Sequence, residues 1–428
     1  MTEATVDSGV HRLVVHPGNA LEGTVEIAGA KNSVLKLLAA TVLAEGTHVI
    51  SNVPQITDVA RMCEVLVAMG LRVEQSPGQV VVHRPAEIVA EAPYELVEQM
   101  RASIVVLGPL LAACGEARVA LPGGDDFGHR PIDLHLKGLE ALGVEFTQEA
   151  GVVVGRAAQL TGTPVTLEFP SVGATENILM ASVRAKGTTV IDNAAREPEI
   201  ADLAAFLNKM GANVLGAGTS TITVEGVDQL EPAEHSVIPD RIEAATFLAA
   251  VGVAGGEIVL RGARPHHMEM FRQKIGEMGV RTSTDPEGLW AMARGRLRSV
   301  DVATLPYPGI ATDCMPLFAA LLCLGDGVGV ITENLYGAGR FRYLAELERM
   351  GADVRSESHH AVIRGVERLQ AAPVRIPDIR AGAALVVAAL GADAPVTLSG
   401  IDHLDRGYER FASKLAGLGA GIEVVDAG

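Results

Sequence analysis

Residues 173–211 read GATENILMASVRAKGTTVIDNAAREPEIADLAAFLNKMG, and this stretch carries the grammar of the whole chain. Gly173-Ala174-Thr175-Glu176 opens a helical stretch that is apolar nearly all round as far as Val183. Lys186-Gly187-Thr188 ends it, Thr189-Val190-Ile191 reads as a strand, and Asn193 turns the chain. From Glu199 to Met210 the apolar residues recur at helical spacing on one face only, and Gly211 closes this second helix. A helix with no polar face must be buried on every side, whereas an amphipathic one belongs at the surface.

The same order of events returns along the chain. Gly29-Ala30-Lys31-Asn32 opens an apolar helix from Val34 to Leu43. Strand His48-Val49-Ile50, a turn at Asn52 and Pro54, and a helix from Asp58 to Met69 closed by Gly70 follow it. Asp240-Arg241-Ile242-Glu243, Ala311-Thr312-Asp313, Asp378-Ile379-Arg380 and, more loosely, Met100-Arg101-Ala102-Ser103 open the others. Each unit ends its second helix on Leu or Met followed by Gly, at Gly70, Gly143, Gly211, Gly279, Gly351 and Gly419, with spacings of 73, 68, 68, 72 and 68 residues. Six units divide into two groups of three, with the break expected near Glu234 to Pro239. The N-termini of the buried helices then gather polar groups: Lys31-Asn32, Arg101, Thr175-Glu176-Asn177, Asp240-Arg241, Asp313 and Arg380. Singly these read as caps and salt bridges. Together they suit a small polyanion, because each helix N-terminus offers unpaired N–H groups and about half a positive charge.

Composition narrows the possibilities. The 428 residues are 48% apolar, with only 15 aromatics, so Ala, Val, Leu and Ile must build the cores. A formal net charge of −17 supplies no broad basic surface, which argues against nucleic acid as a partner. Cys63, Cys114, Cys314 and Cys323 form no CxxC pair and read as reduced thiols in or near the core. His266-His267 and His359-His360 tempt a metal reading, but adjacent side chains are expected to point apart; both pairs read as surface residues, with no metal and no cofactor expected. Glu197-Pro198-Glu199 reads as the turn that starts a helix. No basic-then-apolar leader is present at the N-terminus, and the apolar runs 102–114 and 381–391 are too short to span a bilayer, so a cytoplasmic protein with no membrane partner is expected.

Seven segments in order resemble one known family: Gly29-Ala30-Lys31-Asn32, Met100-Arg101-Ala102-Ser103, Leu121-Pro122-Gly123-Gly124, Arg130-Pro131-Ile132-Asp133-Leu134-His135, Phe169 through Asn177, Asn193 through Glu199, and Asp405-Arg406-Gly407-Tyr408. The chain is similar from about Leu21 to Val424 to the enolpyruvyl transferases, and within them to the branch whose acceptor is UDP-N-acetylglucosamine, a peptidoglycan precursor. The shikimate branch is a poorer match, carrying Lys-Ser where this chain has Lys31-Asn32 and lacking the phrases at 130–135 and 169–173. The resemblance implies an α/β fold, a two-lobed inside-out α/β barrel of six βαβαββ-type repeats. Residues 30–238 would form one lobe carrying a lid loop at 121–131. Residues 1–29 and 239–428 would form the other, with the active site between the two.

The family reaction adds an acceptor hydroxyl to C2 of phosphoenolpyruvate, protonates C3 and eliminates phosphate. Carried over by motif, Lys31, Arg130 and Arg406 would hold phosphoenolpyruvate, with Arg101 and Arg380 close by. Asn32 would orient the sugar, and Arg101 and Leu335 would also meet the sugar nucleotide. Arg130, Pro131, Ile132, Asp133 and Leu134, together with Phe169, Ser171, Val172 and Gly173, would form the uridine and diphosphate site. Asp313 would take or relay the acceptor proton, although Asp at that position also reads as a plain helix cap. Asp125 stands where most family members place a cysteine, the group alkylated by fosfomycin, and would act as general acid; its neighbour Asp126 reads as a solvated loop acid. Two departures flank the acceptor sugar. Ile310-Ala311-Thr312-Asp313 replaces the usual Phe-Pro-Thr-Asp, and the loop Glu333 to Phe341 is one residue longer than the family pattern. An enolpyruvyl transferase for another uridine nucleotide, such as UMP in nucleoside-antibiotic synthesis, would show the same departures and is the alternative acceptor reading.

Overall fold

The computed structural model describes residues 11–98, 100–121, 123 and 131–426. They form two compact units, one drawn from the described residues within Met1–Ile27, Arg241–Leu305 and Gly309–Gly428, the other from those within Ala28–Asp240 with Pro306–Pro308. The described strands make six four-stranded sheets, one for each repeat. In the third repeat, Pro164–Thr166 runs parallel to Thr188–Asp192, which pairs antiparallel with Thr221–Glu225, and Asn213–Leu215 lies on the outside. Every repeat needs such a parallel leading strand. The first takes Glu234–Ser236, which pairs with Gly46–Val53 and so ties the end of its unit to the beginning. The fourth takes Leu21–Glu26, parallel to Gly256–Arg261. The sixth takes Val374–Arg375, parallel to Val396–Ser399, and inserts His11–His16 antiparallel between Val396–Ser399 and Gly421–Asp426. His11–His16 and Leu21–Glu26 thus complete two sheets of one unit.

The six glycines that mark the repeat share one conformation. Gly70, Gly143, Gly211, Gly279, Gly351 and Gly419 have φ of 93°, 96°, 98°, 119°, 82° and 95°. A β-carbon there would cost about 1 kcal/mol or more, which is why the surface helices end on glycine. Asn52 and Asn193, the turn residues of repeats one and three, both sit at φ 54°. Each donates its side-chain amide to the leading strand region, Asn52 to the Val237 carbonyl and Asn193 to the Leu167 carbonyl, both at 2.8 Å.

The apolar helices are buried all round, as their composition requires. From Ala174 to Ser182, from Met315 to Cys323 and from Ile379 to Ala389 every side chain is buried. Helices Arg241–Ala254, Met315–Leu324 and Ile379–Ala389 pack on one another in one unit; in the other, Leu107–Cys114 packs along Val172–Ser182. A β-carbon on Gly108 would lie 2.2 Å from the Asn177 carbonyl oxygen, so glycine is what lets these two backbones approach. The second and fifth repeats depart from a plain helix. Arg101–Val106 and Thr312–Cys314 are 3-10 turns that become α-helical only at Leu107 and Met315. Pro109 and Pro316 lack an N–H and crowd the carbonyl four residues earlier. Val105 and Thr312 therefore cannot accept an α-helical hydrogen bond from them, and the α pattern starts only one or two residues before each proline.

Two readings of the sequence are corrected. Cys63, Cys314 and Cys323 are free and buried, but Cys114 is exposed, because its helix leaves the core where Gly115 turns left-handed at φ 72°. His267 is buried at 7% exposure rather than on the surface, and its ring meets that of His266 edge-on at 4.5 Å instead of pointing away. His359 and His360 are exposed. No group of three metal-binding side chains occurs among the described residues, and none of the described helices is long and apolar enough to cross a membrane.

Candidate active site

In the unit built from Ala28–Asp240, helix Lys31–Ala40 begins on Lys31, which is only 9% exposed. Its ammonium lies 2.8 Å from a carboxylate oxygen of Asp58, itself 1% exposed, and its backbone N–H donates to Asp240 at 3.1 Å. Asp58 thus pairs the ammonium expected at phosphoenolpyruvate, and Asp240 fixes the backbone that carries it. Asp58 reads in sequence only as the start of an amphipathic helix, and nothing local marks it as Lys31's partner. One turn on, Lys36 donates to the Asn32 carbonyl at 2.7 Å and stands 3.5 Å from Glu176, too far for a well-formed hydrogen bond. Glu176 is 1% exposed, and burial, with Glu199 and Glu197 adding repulsion against the pull of Lys36, raises its pKa to about 7.

The two phrases expected to hold the uridine and diphosphate meet in this unit. Arg101 donates to the Pro131 carbonyl at 3.4 Å. Ser171 caps helix Val172–Ser182 by accepting from the Ala174 N–H at 3.4 Å. Between the phrases stands His135, 7% exposed; a β-carbon on Gly173 would lie 2.9 Å from its ring. Asn177 donates to His135 Nδ1 at 2.8 Å and to the Ile104 carbonyl at 3.1 Å, and accepts from the Gly108 N–H at 2.7 Å. Burial first, then Arg101, pushes the His135 pKa down to about 4 against the pull of Asp133, so the ring is neutral at pH 7 and carries its proton on Nε2. His135 closes one of the motif phrases, but its part in holding two phrases together is visible only in three dimensions. Pro131 and Asp133 are exposed, Ile132 buried, Leu134 half-buried, and Phe169 is 42% exposed. Arg130 and Asp125, with most of the expected lid, lie outside the described residues.

In the unit that carries Arg241–Leu305, Asp313 sits in the 3-10 turn Thr312–Cys314. Its two carboxylate oxygens face two guanidinium groups, Arg340 Nη2 at 3.2 Å and Arg380 Nε at 3.1 Å. Both arginines are nearly enclosed, at 3% and 6% exposure, while the Asp313 side chain remains 28% exposed, held in one orientation yet reachable. Helix Ile379–Ala389 carries Arg380 because Asp378 caps it, accepting from the Arg380 and Ala381 N–H groups at 2.9 Å. The Arg380 guanidinium lies 5.4 Å from the centre of the Tyr408 ring, a cation–π contact, and the Tyr408 hydroxyl meets Thr246 at 3.0 Å. This brings Asp405-Arg406-Gly407-Tyr408 beside Arg380, with Arg406 half-buried at the end of the short helix Asp402–Asp405. Leu335 donates its backbone N–H to Glu333 at 2.7 Å. Neither Arg340 nor Glu333 has a local signal that assigns it a role.

The family profile described as EPSP synthase (3-phosphoshikimate 1-carboxyvinyltransferase) matches residues 15–415. A UDP-N-acetylglucosamine 1-carboxyvinyltransferase of Nocardia farcinica is 49% identical over 420 residues, covering 97% of this chain and 98% of that protein. Its namesake in Mycobacterium tuberculosis is 49% identical over 414 residues, covering 97% and 99%. Among solved structures, the enolpyruvyl transferase NikO from Streptomyces tendae matches with a TM-score of 0.86 at 26% identity, over 98% of this chain and 100% of that one. EPSP synthase from Acinetobacter baumannii, at 19% identity and a TM-score of 0.76 over 97% of this chain and 100% of that one, shares the fold.

Proposed function

The chain belongs to the EPSP synthase family of 1-carboxyvinyl, or enolpyruvyl, transferases, and from that membership we propose that it transfers the enolpyruvyl group of phosphoenolpyruvate to the 3-hydroxyl of UDP-N-acetylglucosamine with release of phosphate. The observation that carries this reading is identity of 49% to relatives of that name over 97% of the chain.

In the first step the acceptor oxygen bonds to C2 of phosphoenolpyruvate, the hydroxyl proton leaves to Asp313, and Asp125 supplies a proton to C3. In the second, the C2–O bond to phosphate breaks, the phosphate leaving with the electron pair, and C3 gives its proton back to the Asp125 carboxylate, restoring the double bond. Lys31, Arg130 and Arg406 bind the phosphate and carboxylate, and Arg101 and Arg380 reinforce that positive field. The burial of Lys31 beside Asp58 supports its part, since an ammonium fixed before the substrate arrives loses little freedom on binding it. For Asp313 the support is its pair of guanidinium partners, which leave an oriented carboxylate with 28% of its side chain exposed. His135 joins the segments 131–134 and 169–173, which supports their assignment to one uridine and diphosphate site.

Phosphate release from phosphoenolpyruvate, measured with UDP-N-acetylglucosamine and UMP side by side, tests the reading. Release with UDP-N-acetylglucosamine is expected. Release with UMP alone would replace it by the alternative acceptor.

A further inference from the structure

Glu333 follows strand Val328–Thr332 and is completely buried, with 0% of its surface exposed. Burying a carboxylate is costly unless hydrogen-bond donors surround it, and here three do. One oxygen accepts from the backbone N–H groups of Leu335 at 2.7 Å and Tyr336 at 3.1 Å; the other accepts from the Thr312 hydroxyl at 2.9 Å. The first two donors belong to the loop after the strand. The third is the residue immediately before Asp313. A single side chain therefore ties together two segments far apart in sequence.

The far end of the loop is tied to the same turn. Arg340 donates to the Thr312 carbonyl at 3.4 Å and to Asp313 at 3.2 Å. The loop thus touches the Thr312-Asp313 turn through Glu333 at its start and Arg340 near its end. Asn334 pins the intervening backbone to Thr304 through its N–H and its side-chain amide, both at 3.0 Å. A carboxylate suits the position because the two backbone donors cannot accept, so the oxygen facing them must have no proton to offer.

We propose that Glu333 is a positioning residue for the transfer reaction, holding the Leu335–Tyr336 backbone and the Asp313 turn in one fixed relation so that the acceptor sugar meets both. The proposal rests on the reading that UDP-N-acetylglucosamine is the acceptor and that Leu335 and Asp313 attend its sugar. The side-chain hydrogen bonds of Glu333 run to Leu335, Tyr336 and Thr312, so its loss acts first on the acceptor sugar and on Asp313.

The test compares E333A, E333Q and T312V with the unaltered protein in steady-state phosphate release, alongside inhibition by UDP, which lacks the sugar. E333A is expected to raise the KM for UDP-N-acetylglucosamine by about tenfold, the consequence of leaving buried donors unmade. The inhibition constant of UDP stays within about twofold. The KM for phosphoenolpyruvate changes less than that for the sugar nucleotide, because Glu333 reaches Arg380 only through Thr312 and Asp313; kcat falls as well, since Asp313 takes the acceptor proton. E333Q keeps an oxygen for the two amides and restores most of the affinity. T312V and E333Q combined cost less than the sum of the two, because both break the same bond. An unchanged KM for the sugar nucleotide in folded E333A, or equal losses for all three ligands, would overturn the proposal. If E333A does not fold, T312V and E333Q carry the same comparison, and equal losses for all three ligands in them count against it equally. An unaltered protein that releases no phosphate with UDP-N-acetylglucosamine would overturn the functional reading, and this inference with it; an active one with indifferent variants overturns the inference alone.

Discussion

Replacing Glu176 by glutamine is expected to stabilise the protein, and to do so mainly at neutral and alkaline pH. Glu176 is 1% exposed on helix Val172–Ser182, facing Lys36 from helix Lys31–Ala40, Glu199 from helix Pro198–Lys209 and Glu197 just before it. Burial, the largest cause, with the two neighbouring carboxylates, raises its pKa from 4.5 to about 7 despite the Lys36 ammonium at 3.5 Å. A carboxyl whose folded pKa exceeds its unfolded one favours the fold while protonated, and that advantage fades as pH rises through the folded value. In the folded protein the carboxyl is neutral at pH 5 and much like a glutamine amide. By pH 8 it must ionise in a buried site, whereas the unfolded chain ionises it freely. Each unit of pKa difference is worth 1.36 kcal/mol, so E176Q should gain about 3 kcal/mol over the unaltered protein at pH 8 and under about 1 kcal/mol at pH 5. Other titrating groups, His135 among them, cancel in this difference.

Unfolding of this unit can be followed in urea by pulse alkylation of Cys63, which is 1% exposed within it, at the two pH values under a common pulse. The urea midpoint of E176Q should exceed that of the unaltered protein at pH 8 and nearly coincide with it at pH 5. A midpoint difference that is the same at both pH values, or larger at pH 5, would refute the reasoning. It would mean that the Lys36 pairing outweighs burial and that Glu176 is ionised throughout.

Arg406→Ala should cut turnover by at least about 10²-fold in a folded protein, since losing one preorganised charge-assisted contact costs about 3–4 kcal/mol; near-normal phosphate release would remove Arg406 from the phosphoenolpyruvate site. Asp58→Asn leaves the Lys31 ammonium without its buried carboxylate partner and should destabilise the fold by about 3 kcal/mol. Saturating phosphoenolpyruvate should recover part of the lost melting temperature, and a variant that melts with the unaltered protein would show the pair to be unimportant. With Asp125 in place of the loop cysteine the protein should resist covalent inactivation by fosfomycin, because a carboxylate is a weak nucleophile toward the epoxide where a thiolate is a strong one. Asp125→Cys should stay active and become sensitive, read by phosphate release and intact mass. An adduct on the unaltered protein would contradict this.

What the sequence determined by itself is the repeat and everything periodic within it. Six glycines at near-constant spacing mark six helix ends because only the left-handed conformation closes them, a requirement met within a few residues of chain. Helices such as Met315–Leu324 declare their burial because they have no face to give to water. Motif phrases brought Lys31, Arg101, Asp313, Arg380 and the segments at 131–135 and 169–173 into view as candidates. What only tertiary structure decided is which of them touch. Asp58 with Lys31, Arg340 and Arg380 with Asp313, His135 with Gly173, and Glu333 with Thr312 are pairings between separate elements. Local pattern specifies that a helix is buried but not which neighbour packs on it, and a charged residue in an amphipathic helix looks the same with or without a buried partner. The exposure of Cys114 and the burial of His267 follow the same logic, because each depends on where its element meets the rest of the core. Propensity and period act over a few residues, whereas the electrostatics of the site arise from contacts between elements that the chain brings together only once it has folded.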